Sequence, residues 1–218
     1  MSLADYIGRY WAGAEVIYGV IIAMTFTSVL RGDPAVLGRY LGRTILSAIL
    51  CCTAWGLADG LFYSWERRYL LGREGRIIEF SRSAGGQSAA VTLVGEELDD
   101  TILRNIPEEN RIRLYGQLIG FLSGVRGGEK MTLRDALTIV AGTCLLSAGA
   151  GLFIVSPFFL VPDVEMALRI SNLAGILLLF GIGYSRASDR EFLPRIASGV
   201  GTSLIGIIIA GITIVLGG

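Results

Sequence analysis

An apolar run with one carboxylate inside it constrains this chain more than any other feature. The run extends from Thr44 to Trp65, and Asp59 is its only charged residue. About 20 apolar residues are enough for an α-helix to cross a lipid bilayer. Because an ionisable group inside such a helix costs energy to bury, it marks a candidate functional site. Asp59 is therefore the first candidate site residue.

The composition of the whole chain extends this argument to further membrane spans. Hydrophobic residues make up 52% of the 218 residues and charged residues 17%, which excludes an ordinary soluble domain. Hydropathy predicts five spans, roughly at Tyr10–Leu30, Thr44–Trp65, Leu133–Phe159, Val164–Tyr184 and Ile196–Gly217. We therefore predict an all-α polytopic membrane protein with five transmembrane helices, surrounded by the lipid bilayer. Helices 1 and 2 fall in residues 1–65, and helices 3 to 5 in residues 133–218.

The segment between the second and third spans, residues 66–132, is predicted to be a small helical domain. Its first part, WERRYLLGREGRIIEF, is compatible with a continuation of the second span as a helix, which SRSAGGQS would end. Apolar residues then recur at helical spacing in two sets, Val94, Leu98 and Ile102, and Ile112, Tyr115, Ile119 and Leu122. We expect two or three short amphipathic helices in a small bundle.

The distribution of cations predicts the orientation in the membrane. The side that holds the N-terminus, residues 66–132 and the loop before Ile196 carries most of the arginines and the one lysine, Lys130. By the positive-inside rule this side is cytoplasmic and the C-terminus lies outside. The first residues do not have the pattern of a cleaved signal peptide or an organellar signal. We expect an integral protein of a prokaryotic plasma membrane.

A second carboxylate, Glu15, lies inside the first predicted span. It is about one turn from the cytoplasmic end of its span, whereas Asp59 is about two turns from that end of the next. Because the two helices run antiparallel, their carboxylates are predicted to reach similar depths. Such a pair can be an oxygen site for a divalent cation or a proton-exchange pair. Alternatively, each acid is hydrated at the interface or paired with Arg9 or Arg67.

Residues 66–132 also contain an acidic cluster, in the sequence GEELDD. On a helix, Glu96 and Asp100 are four residues apart and Glu97 and Asp100 are three apart, so the three share a surface. A bound cation would relieve their repulsion, which makes Glu96, Glu97 and Asp100 candidate metal ligands. A solvated face is the alternative, because charged clusters are commonly exposed.

Several functions are disfavoured by what the sequence does not contain. Without histidine there is no Ser-His-Asp or Cys-His catalysis and no histidine-rich zinc site. Nucleotide-binding loops and paired-cysteine metal sites are also missing from the sequence. We predict that the protein is not an enzyme, holds no tightly bound cofactor and has no nucleic-acid partner. In the last span, Gly201, Gly206 and Gly211 give a small-residue face that permits close helix packing.

The layout of spans and several local sequences together resemble a known family. The first two spans contain AEVIYGVIIAMTFTSVL and GLADGLFYSWERR, the middle contains GEELDDTI and PEENRIRLYGQLIGFL, and the last spans contain RISNLAGILLLFGIGYS and GTSLIGIIIAGITIVLGG. With two spans, a helical cytoplasmic segment and three further spans, the chain resembles the vacuolar iron transporter (VIT) family, in particular its small prokaryotic relatives.

This resemblance implies export of Fe²⁺ or a similar divalent metal from the cytosol, by exchange with protons, in a homodimer. The second-span glutamate of the family corresponds to Asp59. Tyr18 and Gly19 stand where the family has an Asp-Gly pair, and Glu15 is the nearby acid. The resemblance therefore predicts an iron or manganese transporter that uses Glu15 and Asp59 in the membrane.

A hypothesis from another functional class remains open beside transport. The chain can be a membrane scaffold or sensor that transports nothing, with residues 66–132 as the module that binds a protein partner. The apolar stripe of Ile112, Tyr115, Ile119 and Leu122 would suit such a partner as well as an internal core.

Overall fold

A computed structural model of the chain describes residues 3–28, 34–83, 86–99, 101–125 and 127–215, and within these ranges it contains helices but no β-strand. The helices are α1 Leu3–Ser28, α2 Pro34–Arg82, α3 Gln87–Leu98, α4 Glu108–Leu122, α5 Leu133–Val155, α6 Pro157–Leu160, α7 Val164–Arg186 and α8 Phe192–Val215. A short 3₁₀ helix at Ile102–Asn105 lies between α3 and α4.

Five of these helices are long and apolar enough to cross a membrane. The qualifying segments are Tyr10–Ser28, Tyr40–Arg82, Leu133–Val155, Val164–Arg186 and Phe192–Ile212. The prediction of an all-α polytopic membrane protein with five spans is therefore confirmed. The chain divides into two compact units, Met1–Ser64 with Arg134–Gly218, and Trp65–Leu133. We call them the membrane unit and the middle unit.

The membrane unit is held together by contacts among α1, α7 and α8. Its core includes Val20 and Met24 of α1, Ile154 of α5 and Leu179 of α7, all of which are buried. Near its start, α1 is interrupted at Gly8, where φ is 79°, a value that residues with a Cβ rarely adopt.

Small residues bring α5 close to α1 and α2. A Cβ added at Gly19 of α1 would collide with the backbone oxygen of Ser147, and one at Gly60 of α2 with the Thr143 hydroxyl. One at Gly56 would lie 2.7 Å from the Thr143 backbone oxygen. Because lipid provides little hydrophobic driving force between helices, close contact of this kind is what holds them together. It also sets the rotation of α2, and hence the position of Asp59.

The middle unit has a small core of its own, in which α3 packs against α4. Ile77, Ala90, Val94, Tyr115 and Ile119 are its buried members. Tyr115 and Ile119 of the predicted stripe therefore face the internal core, which leaves less of that stripe for a partner.

One expectation for the middle unit is wrong. Ile102 does not share a helix with Val94 and Leu98, because α3 ends at Leu98 and Ile102 is 80% exposed. Thr101 adopts an extended conformation and caps the 3₁₀ helix by accepting a hydrogen bond from the Leu103 amide. Ile112, for which the sequence left open a core or a partner surface, is 52% exposed.

Some span boundaries and glycine positions also differ from prediction. The predicted second span ends at Trp65, but its helix continues to Arg82. The residues after the apolar run are compatible with this continuation. The third span ends at Val155, because Pro157 has no amide hydrogen with which to continue the helical ladder. In α8, Gly206 packs against Leu179, whereas Gly201 and Gly211 have no atom within contact distance of an added Cβ.

Candidate functional site: a carboxyl pair inside the membrane unit

The site begins with Glu15, a carboxylic acid in α1 that is completely buried within the membrane unit. This burial disfavours the alternative in which Glu15 is hydrated at the interface. One carboxyl oxygen, Oε1, accepts a hydrogen bond of 3.0 Å from the Tyr63 hydroxyl of α2. The other oxygen, Oε2, is buried and has no hydrogen-bond partner among the described residues. Such an oxygen is costly in a nonpolar environment and can accept a further donor or cation.

Asp59 of α2 is the second acid of the site. Its side chain is close enough to the Glu15 carboxyl for the charges of the two groups to act on each other. Asp59 is partly exposed, in contrast to Glu15. The structure therefore brings together the two intramembrane carboxylates that the sequence predicts to lie at similar depth.

No arginine neutralises this pair among the side chains that the structure describes in the membrane unit. An ion pair of this unit joins Arg169 to Glu165, near the start of α7, and involves neither acid of the site. The side chain of Arg9, an alternative partner from the sequence, lies outside the described part. Two adjacent carboxyls without a basic neighbour cannot both be charged at low cost. The arrangement therefore favours a shared proton or a bound cation.

Two pairs of aromatic rings link the helices that carry the acids. The Trp11 ring lies 6.1 Å from the Tyr63 ring, and the Tyr18 ring lies 5.7 Å from the Trp55 ring, measured between centroids. Tyr18 occupies the position where the resemblance leads one to expect an aspartate. Both ring pairs join α1 to α2, the two helices that carry the acids.

The number of protein ligands near the pair limits how a metal ion could be held. Within the described ranges, no group of three or more histidine, cysteine, aspartate or glutamate residues could hold a metal ion. A divalent cation at Glu15 and Asp59 would need further oxygen ligands, because Mg²⁺ and Ca²⁺ take six or more. The Tyr63 hydroxyl is one such neighbouring oxygen. A site with few protein ligands suits an ion that must leave again.

The acidic cluster of the middle unit is neutralised by arginines. Arg73 pairs with Glu96 at 3.2 Å and with Glu97 at 3.0 Å. Arg111 pairs with Asp99 at 3.1 Å. Asp100, the third predicted metal ligand of this cluster, lies outside the described residues. The ion pairs to Arg73 relieve the repulsion that a metal would otherwise relieve.

Asp99 takes part in a second interaction that the sequence does not indicate. The Tyr115 hydroxyl donates a hydrogen bond of 2.6 Å to Asp99, and this bond raises the pKa of the Tyr115 phenol above its ordinary value. Arg111 and Tyr115 thus hold Asp99 from α4 and connect the two helices of the middle unit.

Replacing Arg73 by glutamine tests how much its ion pairs contribute. Both acids are well exposed, with side-chain exposures of 58% for Glu96 and 40% for Glu97. We expect the free energy of unfolding to fall by less than about 1 kcal/mol, and by less still in high salt. Thermal unfolding of the full chain at two salt concentrations measures this. Arg113→Gln is the control, since Arg113 forms no ion pair among the described residues. A loss well above 1 kcal/mol for Arg73→Gln, or one that does not shrink in high salt, would contradict the prediction.

Tyr63 was not predicted as a site residue. The signal was present in the sequence, because Tyr63 follows Asp59 by four residues and so shares its helix face. Gly56 and Gly60 were missed as well, although their four-residue spacing is the pattern that allows close helix packing.

Comparisons with known proteins add no family to this description. No family model matches the chain, and no curated protein matches it.

Proposed function

We propose that the chain is a VIT-like transporter of divalent metal cations that exports Fe²⁺ or Mn²⁺ from the cytosol in exchange for protons. The observation that carries this proposal is the carboxyl pair of Glu15 and Asp59 inside a unit with membrane-spanning helices. An ionisable group at membrane depth is costly, and such groups commonly belong to ion pathways or proton relays. The resemblance of the span layout and local sequences supports the same function.

Charge balance provides the mechanism of exchange. A divalent cation between two carboxylates makes a locally neutral assembly, which lowers the cost of placing the ion within the membrane. When the ion leaves, two protons can take its place on the same oxygens. The Tyr63 hydroxyl donates to Glu15 and so stabilises its ionised, metal-binding form.

The remaining parts of the proposal concern access and assembly. Acidic residues of the middle unit, among them Glu96 and Glu97, would raise the local concentration of cations on the cytoplasmic side. Because both are paired with Arg73, this role depends on exchange of the arginine for the metal. The homodimer follows from the resemblance.

Uptake into proteoliposomes tests the proposal. The purified full chain is reconstituted with an imposed pH gradient, and entry of Fe²⁺ and of Mn²⁺ is followed against protein-free liposomes. We expect uptake of at least one ion that collapses when the gradient is removed. If a folded protein takes up neither ion, the transport proposal is overturned.

Replacing Tyr63 by phenylalanine isolates the hydrogen bond to Glu15. The ring and its contact with Trp11 remain, but the buried acid loses its donor. Losing a hydrogen bond to a charged group costs about 1.5 to 3 kcal/mol, or roughly 3 to 12 °C in melting temperature for a chain of this size. Thermal unfolding in detergent measures this shift.

Tyr69→Phe is the control for this variant, because Tyr69 is 58% exposed and donates no hydrogen bond in the described part of the chain. An unchanged melting temperature for Tyr63→Phe would mean that the bond does not contribute to folding.

The scaffold hypothesis has one structural observation in its favour. An apolar groove of about 270 Å³ lies in the middle unit, lined in part by Ile78, Leu98, Leu118 and Leu122. Phe121, which is 80% exposed, is also in this unit. A protein partner that binds the full chain, with binding lost on Leu118→Asp and no metal uptake, would favour this function over transport.

A further inference from the structure

A charged pocket of about 500 Å³ in the middle unit is not explained by metal transport. One wall is a face of α2 that includes Arg68, Gly72, Arg76 and Glu79, and residues 128–131 form the other wall. Both walls belong to the same compact unit. The pocket is therefore a feature of one folded body.

The cations of this pocket have no acidic partner among the described residues. Arg68, Arg76 and Lys130 line it, and none of the three forms an ion pair within those ranges, whereas nearby Arg73 is paired twice. Glu79 and Glu129 also line the pocket and likewise form no ion pair there. With three cations and two carboxylates, the lining has a formal charge of +1.

Glycines keep the pocket open along the helix. A side chain at Gly72 or at Gly75 would have no atom within 4 Å of its Cβ. Glycine costs helix stability relative to other residues, by about 1 kcal/mol relative to alanine. The backbone at this face is thus accessible to a ligand between Arg68 and Arg76.

The end of the apolar run predicts that the pocket begins at the depth of lipid headgroups. The apolar run of α2 ends at Trp65, which is 72% exposed, and Tyr69 on the next turn is 58% exposed. Exposed tryptophan and tyrosine are typical of the membrane interface. Arg68 lies three residues beyond Trp65, a rise of ~4.5 Å, and the headgroup layer extends about 5 to 8 Å beyond the hydrocarbon. The Arg68 end of the pocket therefore lies within this layer.

From these observations we propose that the pocket binds the phosphate of an anionic phospholipid headgroup. Arg68 would contact the phosphate oxygens at the membrane end of the pocket, and Arg76 and Lys130 would attract the anionic headgroup electrostatically. A lining charge of +1 matches the single negative charge of a phosphatidylglycerol headgroup. This inference does not depend on the transport proposal, because it uses none of the intramembrane acids.

Native mass spectrometry of the full chain in detergent, with phosphatidylglycerol or phosphatidylcholine added, tests the proposal. The wild type is expected to retain more phosphatidylglycerol than phosphatidylcholine. The double variant Arg68→Gln/Arg76→Gln is expected to retain it more weakly, roughly 5-fold for each cation removed. Arg113→Gln removes an exposed cation elsewhere in the same unit and should leave retention unchanged.

A second variant tests the cavity without altering its charge. Gly72→Leu fills the open face of α2 and is expected to reduce phosphatidylglycerol retention, while folding is kept because no atom obstructs the new side chain. Gly116→Leu on α4 is the matched control, since its Cβ also meets nothing within 4 Å.

Three outcomes would overturn the proposal. Equal retention of the two lipids would show that the pocket does not select an anionic headgroup. Equal retention by wild type, Gly72→Leu and the double-arginine variant would place the lipid elsewhere. Displacement of phosphatidylglycerol by millimolar inorganic phosphate would assign the pocket to a soluble anion rather than a lipid.

Discussion

Asp59→Asn is expected to abolish proton-driven uptake of Fe²⁺ and Mn²⁺ while the protein remains folded. The substitution keeps the size of the side chain but removes its negative charge and its ability to exchange a proton. A divalent ion would then meet one carboxylate instead of two and carry an uncompensated charge into the membrane. Glu15→Gln should have the same effect, because Glu15 is the buried half of the pair. Initial uptake rates in proteoliposomes with equal amounts of protein measure both.

Asp189→Asn is the matched control for this experiment. Asp189 is exposed in the loop between α7 and α8 and forms no ion pair among the described residues, so its variant should transport like the wild type. Melting temperatures of all variants show whether each remains folded. If the wild type transports and the Asp59→Asn variant transports at the same rate, the assignment of Asp59 to the transport site is wrong.

Gly56→Leu is expected to destabilise the membrane unit by at least as much as Tyr63→Phe does. A Cβ at this position would lie 2.7 Å from the Thr143 backbone oxygen and 2.8 Å from the Cys144 Cα. Because both are backbone atoms, α2 and α5 must move apart to admit the side chain. Overpacking of this kind costs about 3 kcal/mol, or roughly 6 to 12 °C in melting temperature. Thermal unfolding in detergent measures the loss.

Gly149→Leu on α5 controls for the effect of adding leucine to a membrane helix. Gly149 is exposed, and nothing lies within 4 Å of an added Cβ. We expect this variant to unfold at or above the wild-type temperature, because leucine has the higher helix propensity. A similar loss in both variants would contradict close packing of α2 on α5.

The sequence was sufficient to predict that Glu15 and Asp59 lie at similar depths, where they could face each other. Both lie within apolar runs, and the depth of each follows from its distance to the end of its run. Because the first two spans run antiparallel, residues at equal depth in the two helices can lie side by side. Tyr63 could have been predicted from its spacing to Asp59, but its partner Glu15 is 48 residues away and depends on the rotation of α1 against α2.

In the middle unit, the local sequence pattern was not sufficient to predict the structure. Helical spacing correctly placed Tyr115 and Ile119 in the core, but it also included Ile102, which a capping threonine places in a separate 3₁₀ helix. For the acidic run, the sequence left open a metal site or a solvated face, and did not indicate ion pairs. Arg73, which is 23 residues from Glu96, makes those pairs only because α2 continues beyond the apolar run.

The sequence by itself determined that this is an all-α membrane protein and that two acids lie in its spans. It could do so because partition between lipid and water depends on the composition of about 20 consecutive residues, which is a local property. Only the tertiary structure decided which acids pair with an arginine. Glu96 and Glu97 do so, whereas Glu15 has the Tyr63 hydroxyl and the neighbouring Asp59 instead. That outcome depends on the rotation and contact of helices distant in sequence, where glycines such as Gly56 set how closely two backbones approach.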